Sequence, residues 1–88
     1  MLSQTVTVVN AQGLHMRPAG LLATEMKKFK GCNVTLKANG KDIKATAIMQ
    51  IMSAGIKSGT SVEIVCDGEN EQEALNKAVE MFQNGFGE

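Results

Sequence analysis

Three residues that each occur once in this 88-residue chain fall within four positions: His15, Arg17 and Pro18. Their chemistries converge. An imidazole is a nucleophile available near neutral pH, a guanidinium is a permanent cation suited to phosphate, and proline favours the first turn of a helix. Within Gly13-Leu14-His15-Met16-Arg17-Pro18-Ala19, the group reads as a phosphate-handling histidine at a helix start. A helix start leaves backbone N–H groups without intrahelical partners and carries the positive end of the macrodipole, so an anion is favoured there. Each exposed interaction of this kind contributes about 0.3–1 kcal/mol. That magnitude suits a phosphoryl group that must arrive and leave again. The plainer reading of a lone histidine before a helix is an N-cap or a solvent contact. Arg17 and Pro18 beside it bring the chemical reading level with the plain one, and the rest of the chain has to decide between them.

The elements that must hold this group follow from periodicity. Apolar residues at Ala19, Leu22, Met26 and Phe29 mark one helical face, so a helix is expected from Met16 to Lys30. Lys27, Lys28 and Lys30 would load its last turn, and Gly31 would stop it. Before it, Thr5 to Val9 is β-branched and reads as a strand, closed by Asn10 to Gly13. After it, Val34, Leu36 and Ala38 alternate with polar residues, Asn39-Gly40 signals a two-residue hairpin, and Lys41 to Lys44 returns. Thr46 is placed to cap a short helix that carries Ile48, Met49, Ile51 and Met52 and ends before Gly55. Ser61 to Asp67 alternates again, with Val62, Ile64 and Cys66 on one face. Asn70 and Glu73 resemble a capping box at the head of a last helix with a stripe of Leu75, Ala78, Val79 and Phe82. Gly85 should end it, leaving Phe86-Gly87-Glu88 a loosely held tail with Phe86 its one anchor.

The order is therefore β-α-β-β-α-β-α. Strand alternation implies a sheet with one covered and one solvated face, which favours antiparallel pairing. The expected fold class is α+β: an open-faced sandwich whose four-stranded antiparallel sheet is covered on one face by two long helices and one short helix. Residues 1–88 suffice for one domain with a single small core.

Net charge is zero, but the charges are sorted along the chain. Up to Lys57 there are eight cations against Glu25 and Asp42, a net of +6; from Ser58 onward Lys77 stands against seven carboxylates, a net of −6. This points to a basic face and acidic partners. With no Trp or Tyr for stacking, nucleic acid is not an expected partner. Cys32 and Cys66 lack metal-ligand spacing and share parity with Val34/Leu36 and Val62/Ile64, so both are expected in the core. No metal and no cofactor are implied. No apolar run approaches the roughly 20 residues that span a membrane, and no leader is visible. The expectation is a cytoplasmic protein without membrane insertion, and most simply a monomer.

With His15-Met16-Arg17-Pro18-Ala19 after a first strand, and Ile48-Met49-Gln50-Ile51-Met52-Ser53-Ala54-Gly55-Ile56 before the last, the chain resembles the HPr family. These are the histidine-containing phosphocarriers of the bacterial sugar phosphotransferase system, and the resemblance covers essentially the whole length. It implies that His15 is phosphorylated on Nδ1 by enzyme I, with phosphoenolpyruvate as original donor, and passes the group to IIA domains of sugar permeases. The chain would then be a reactant and not an enzyme. The resemblance also implies that Arg17 is the phosphate-side arginine and Pro18 the helix-opening proline. Met16 stands where a small residue is usual, and adds contact surface. In members of Gram-positive type, a serine before the short helix is phosphorylated by an ATP-dependent HPr kinase/phosphorylase. Thr46 occupies that position and retains a hydroxyl. Phosphorylation there would add about −1.5 to −2 charges to a basic face, repelling enzyme I and creating a site for a catabolite-control repressor. Its plain alternative is a helix cap.

The short helix also invites a partner. Ile48, Met49, Ile51, Met52 and Ile56 are more apolar residues than two turns can bury on one side. Ile48, Ile51 and Ile56 should turn inward at least in part, leaving Met49 and Met52 more exposed. With Gly20, Leu21 and Thr24 of the first helix they would form a small apolar patch rimmed by Arg17, Lys27 and Lys57. Flexible methionines suit a surface that meets several partners. Two other functions compete: a regulatory module acting mainly on transcription through phosphorylated Thr46, and a small metal carrier with the same element order. The second lacks paired thiols or histidines at ligand spacing.

Overall fold

A computed structural model describes residues 1–87. Four strands, β1 (Leu2–Thr7), β2 (Cys32–Ala38), β3 (Lys41–Lys44) and β4 (Ser61–Gly68), alternate with helices α1 (Met16–Met26), α2 (Ile48–Ser53) and α3 (Glu71–Gln83). A 3-10 turn, Gly85–Gly87, follows. The sheet runs in the order β1-β4-β2-β3, and every pairing is antiparallel. Alternation explains why only one face is covered. Val6 lies opposite Val62, Val34 opposite Cys66, and Leu36 opposite both Ile64 and Ile43, and all of these are buried. Their neighbours Thr35, Glu63 and Val65 are only half-buried, and Lys37 is exposed. The helices supply the cover, with Leu22 and Met26 from α1, Ile51 from α2, and Leu75, Ala78 and Phe82 from α3 in one core. This is the α+β open-faced sandwich expected from the alternation.

Several boundaries depart from expectation, each for a local reason. The first strand begins at Leu2 rather than Thr5, because antiparallel pairing with β4 carries polar Ser3 and Gln4 as readily as valines. Val8 extends the pairing, donating to the Thr60 carbonyl at 3.0 Å and accepting from Gly59 N–H at 2.8 Å, while Val9 is left 58% exposed. Helix α1 stops at Met26, short of Lys30. Lys28 and Phe29 N–H groups donate three residues back, to Glu25 and Met26, and this tightened turn feeds the chain into β2. The three lysines therefore lie beyond the helix. Asn39 (φ 53°) and Gly40 (φ 74°) form the expected two-residue hairpin turn, both with positive φ.

Two expected caps do not form. The N-cap of α2 is Ala47, so Thr46 lies one residue outside the helix and does not cap it. Asn70 is the N-cap of α3, but at φ 57°, ψ 30° it is left-handed rather than extended. A capping box needs the extended conformation to aim the side chain at the N–H groups, and no side-chain cap bond is made. One cysteine also departs: Cys66 is fully buried, but Cys32, at the outer end of β2, is only half-buried. The tail is better held than expected as far as Gly87, with Phe86 buried and its ring edge-on to Phe82 at 4.9 Å. Glu88 lies outside the described residues.

Candidate phosphoryl site

His15 is the N-cap of α1, with extended backbone (φ −81°, ψ −170°), and its carbonyl accepts the Ala19 N–H at 3.0 Å. Its ring makes no cap bond to the first turn, whose N–H groups keep their capacity for an anion. The ring is half-exposed, Arg17 is exposed, and Pro18 and Ala19 are buried. Pro18 and Ala19 thus anchor the helix start in the core while Arg17 stays at the surface two residues from His15. Met16 is 68% exposed beside them.

The loop that delivers His15 is held at three points. Asn10 carbonyl accepts from Gly13 N–H at 3.0 Å, closing a turn. Gly13 has φ 71°, and a Cβ there would collide with the Ile56 carbonyl, so only glycine fits. Leu14 is buried and donates its N–H to that same carbonyl at 3.0 Å. Ile56 follows α2, so the His15 helix is tied to the end of the short helix, and Lys57 lies against Gly13.

The other candidate residues distribute around these two helices, which pack on each other. Leu21 (42%), Met49 (74%) and Met52 (36%) are exposed apolar residues; Thr24, Lys27 and Lys57 are exposed, and Gly20 and Ile48 are half-buried. Ile51 and Ile56 are buried, as the crowding of apolar residues in this segment required. Thr46 is half-buried and stands at the opposite end of α2 from the His15 loop. Six helical residues span about 9 Å. His15 and Thr46 open onto separate clefts. Thr46 borders one of about 510 Å³ with Cys32, Asn33, Asp42 and Gln50, and His15 borders one of about 450 Å³ with Asn10, Gln12, Asn84 and Gly85.

The thiols stand apart from this chemistry. Burial pushes the Cys66 thiol up to about 11, and burial likewise raises Cys32, so both are protonated and weakly nucleophilic near neutral pH. Among the described residues, no group of three His, Cys, Asp or Glu side chains is arranged to hold a metal ion.

Sequence reading missed Asn10. It is 5% exposed, the one buried polar residue among those described, and its amide donates to the Gly85 carbonyl at 2.6 Å. A single polar residue ending a valine run carries no sign of a partner 75 positions away.

Comparison with known proteins bears directly on this site. The family model PTS-HPr, "PTS HPr component phosphorylation site", matches residues 2–84, which include His15 and Arg17. The chain belongs to the HPr family. It is 38% identical over 88 residues to the phosphocarrier protein HPr of Xylella fastidiosa strain Temecula1, covering 100% of this chain and 98% of that one. It is 40% identical over 83 residues to the HPr-like protein Crh of Bacillus subtilis, covering 94% and 96%. Among solved structures, HPr-C-His from Thermoanaerobacter tengcongensis superposes with a TM-score of 0.94 at 34% identity, covering 100% and 98%. A crystal structure of Bacillus subtilis Crh, a dimer with a swapped domain, superposes with a TM-score of 0.76 at 39% identity, covering 97% of each chain. HPr proteins are phosphocarriers of the phosphotransferase system and in general are not enzymes. No described helix of this HPr-family chain is long and apolar enough to cross a membrane.

Proposed function

We propose that this chain accepts a phosphoryl group on His15 from enzyme I, ultimately from phosphoenolpyruvate, and passes it to IIA domains of sugar permeases in the cytoplasm. The observation that carries the reading is His15 as the N-cap of α1, with a ring that does not cap the helix and an exposed Arg17 two residues on. A phosphoryl group on the ring gains the first-turn N–H groups and a guanidinium, and the half-buried ring leaves it open to a partner. The exposed Met16, Leu21, Met49 and Met52, rimmed by Arg17, Lys27 and Lys57, fit a surface that several acidic partners use briefly in turn. The chain acts in this reading as a monomer that is consumed and regenerated in each cycle.

Labelling with enzyme I and radioactive phosphoenolpyruvate tests it. Wild type should take up acid-labile phosphate and His15→Ala none, with an unchanged fold by circular dichroism. Label persisting on His15→Ala would sink the assignment. Arg17→Ala should slow transfer roughly tenfold or more, through loss of a charge-assisted contact, and change stability by less than about 0.5 kcal/mol because the side chain is exposed.

The likeness to Crh favours a second reading, in which HPr kinase/phosphorylase modifies Thr46 and the product acts on a catabolite-control repressor. The Thr46 hydroxyl does not cap α2 and borders a cleft. Incubation with such a kinase and ATP should place acid-stable phosphate on Thr46; label on Ser53 or Ser58 instead would refute it.

A further inference from the structure

The cleft beside His15 is walled on one side by the loop that carries the histidine and on the other by the turn after α3. These walls come from opposite ends of the chain, and the Asn10 side chain joins them. Its side-chain amide donates to the Gly85 carbonyl at 2.6 Å, while the backbone carbonyl of the same residue accepts from Gly13 N–H and so closes the turn leading to His15. We propose that Asn10 is a positioning residue for phosphoryl transfer, holding the C-terminal turn as a fixed wall of the His15 cleft. The proposal rests on His15 being the phosphorylated residue.

Three further observations bear on it. The turn adopts a backbone that needs holding: Gly85 has φ 60°, Phe86 φ 55° and Gly87 φ 79°. A positive φ is strained for phenylalanine, and such strain persists only where the surroundings impose it. Phe86 is held from below by Phe82 and Gly85 from the side by Asn10. Next, Asn10 is 5% exposed, so its bond to Gly85 does not compete with bulk water and is geometrically specific. Last, among the described residues the lining of the cleft beside His15 is rich in side-chain amides, from Asn10, Gln12, Gln83 and Asn84. A dianionic phosphoryl group beside that wall meets amide dipoles, and dipoles assist only when fixed in place beforehand. Asn10 fixes them by tying the Asn84–Gly85 segment to the His15 loop. It acts through the wall and not on the phosphoryl group.

The test uses the full chain as substrate of enzyme I and phosphoenolpyruvate, with two variants that loosen the wall from opposite sides. Asn10→Asp keeps the shape and removes the amide donor. Phe86→Ala releases the turn from below and leaves residues 9–15 unaltered. Each should lower kcat roughly fivefold to tenfold, since small misplacements at a reacting centre are costly, and leave KM within about twofold because the docking helices are untouched. In both, the Gly87 amide, bonded to the Asn84 carbonyl at 3.2 Å in the wild type, should exchange faster. A wild-type kcat in both variants despite faster exchange at Gly87 would overturn the positioning role and leave the carrier reading standing. A rise in KM with kcat unchanged would also overturn it, by making the turn a docking contact. No label on wild-type His15 would overturn the carrier reading and the positioning role with it. Should Asn10→Asp fail to fold, the kcat of Phe86→Ala decides alone.

Discussion

At the scale of single residues, the site depends on an atom that is missing. Gly13 turns the chain with φ 71°, and its absent Cβ leaves room for the Ile56 carbonyl that receives Leu14 N–H. Gly13→Ala should cost about 1–3 kcal/mol, from a strained backbone and a displaced Ile56–Lys57 segment. Urea denaturation would measure the loss, and transfer should slow in the same variant because His15 follows two residues on. A buried thiol supplies a second test. The fold raises Cys66 from 9.0 to about 11. The unfolded chain releases that proton first, so stability is unaffected below pH 9 and falls as pH rises from 9 toward 11. Cys66→Val, similar in volume, should flatten that part of the pH–stability curve. An unchanged slope would show that the thiol is not its source.

At the scale of elements, the start of β1 is held by its own terminus. The Met1 ammonium lies 2.8 Å from Glu71 Oε2, at the head of α3, and 4.0 Å from Asp67 Oδ1. The hydrogen bond to Glu71 raises the terminal amine above its ordinary 8.0. A raised amine contributes stability below pH 8.0 and loses it as pH rises through the folded value. Glu71→Gln should therefore speed amide exchange at Leu2 to Gln4 at pH 7, and the difference from wild type should shrink in alkaline buffer. Elements were also where sequence reasoning succeeded and failed most visibly. The order and type of every strand and helix were legible, because Val34/Leu36 and Val62/Ile64 alternate, Leu75/Ala78/Val79/Phe82 repeat helically, and Asn39-Gly40 has one favoured turn. The ends were not. Asn70 and Thr46 carry the side chains of helix caps, yet side-chain caps are set by backbone angles, and at φ 57° Asn70 holds the N-cap position without making the side-chain bond. His15 and Arg17 were legible for a different reason: each occurs once, and their chemistry is unlike anything near them. Asn10 was illegible because its partner belongs to the other end of the chain.

At the scale of the whole molecule, the charges that the sequence sorts into +6 and −6 halves share a fold with a Cα radius of gyration of 11.3 Å. The eight cations of the first half are all exposed, on or beside α1, on the β2–β3 hairpin and at Lys57. Exposed cations of this kind steer an acidic partner before contact, and screening acts over about 10 Å at 0.1 M salt. Transfer from enzyme I should slow as ionic strength rises from about 0.05 to 0.5 M, mostly through KM, which stopped-flow kinetics would resolve. An unchanged or falling KM would show that charge does not guide the encounter.

The hairpin turn on that basic half has a chemical lifetime. Asn39 is followed by Gly40, the neighbour least able to shield an asparagine from cyclising and hydrolysing to an acid. Its amide donates to the Ala54 carbonyl at 3.3 Å and reaches Gly55 at 3.5 Å, tying the hairpin to the end of α2. Deamidation removes that donor and adds a negative charge among the lysines. An aged molecule should thus lose a tie to the short helix and gain a negative charge beside Lys37 and Lys41 in one event. The turn that registers the sheet so cleanly should therefore also be a site of chemical ageing, and peptide mapping of stored protein would read that clock as acid at position 39.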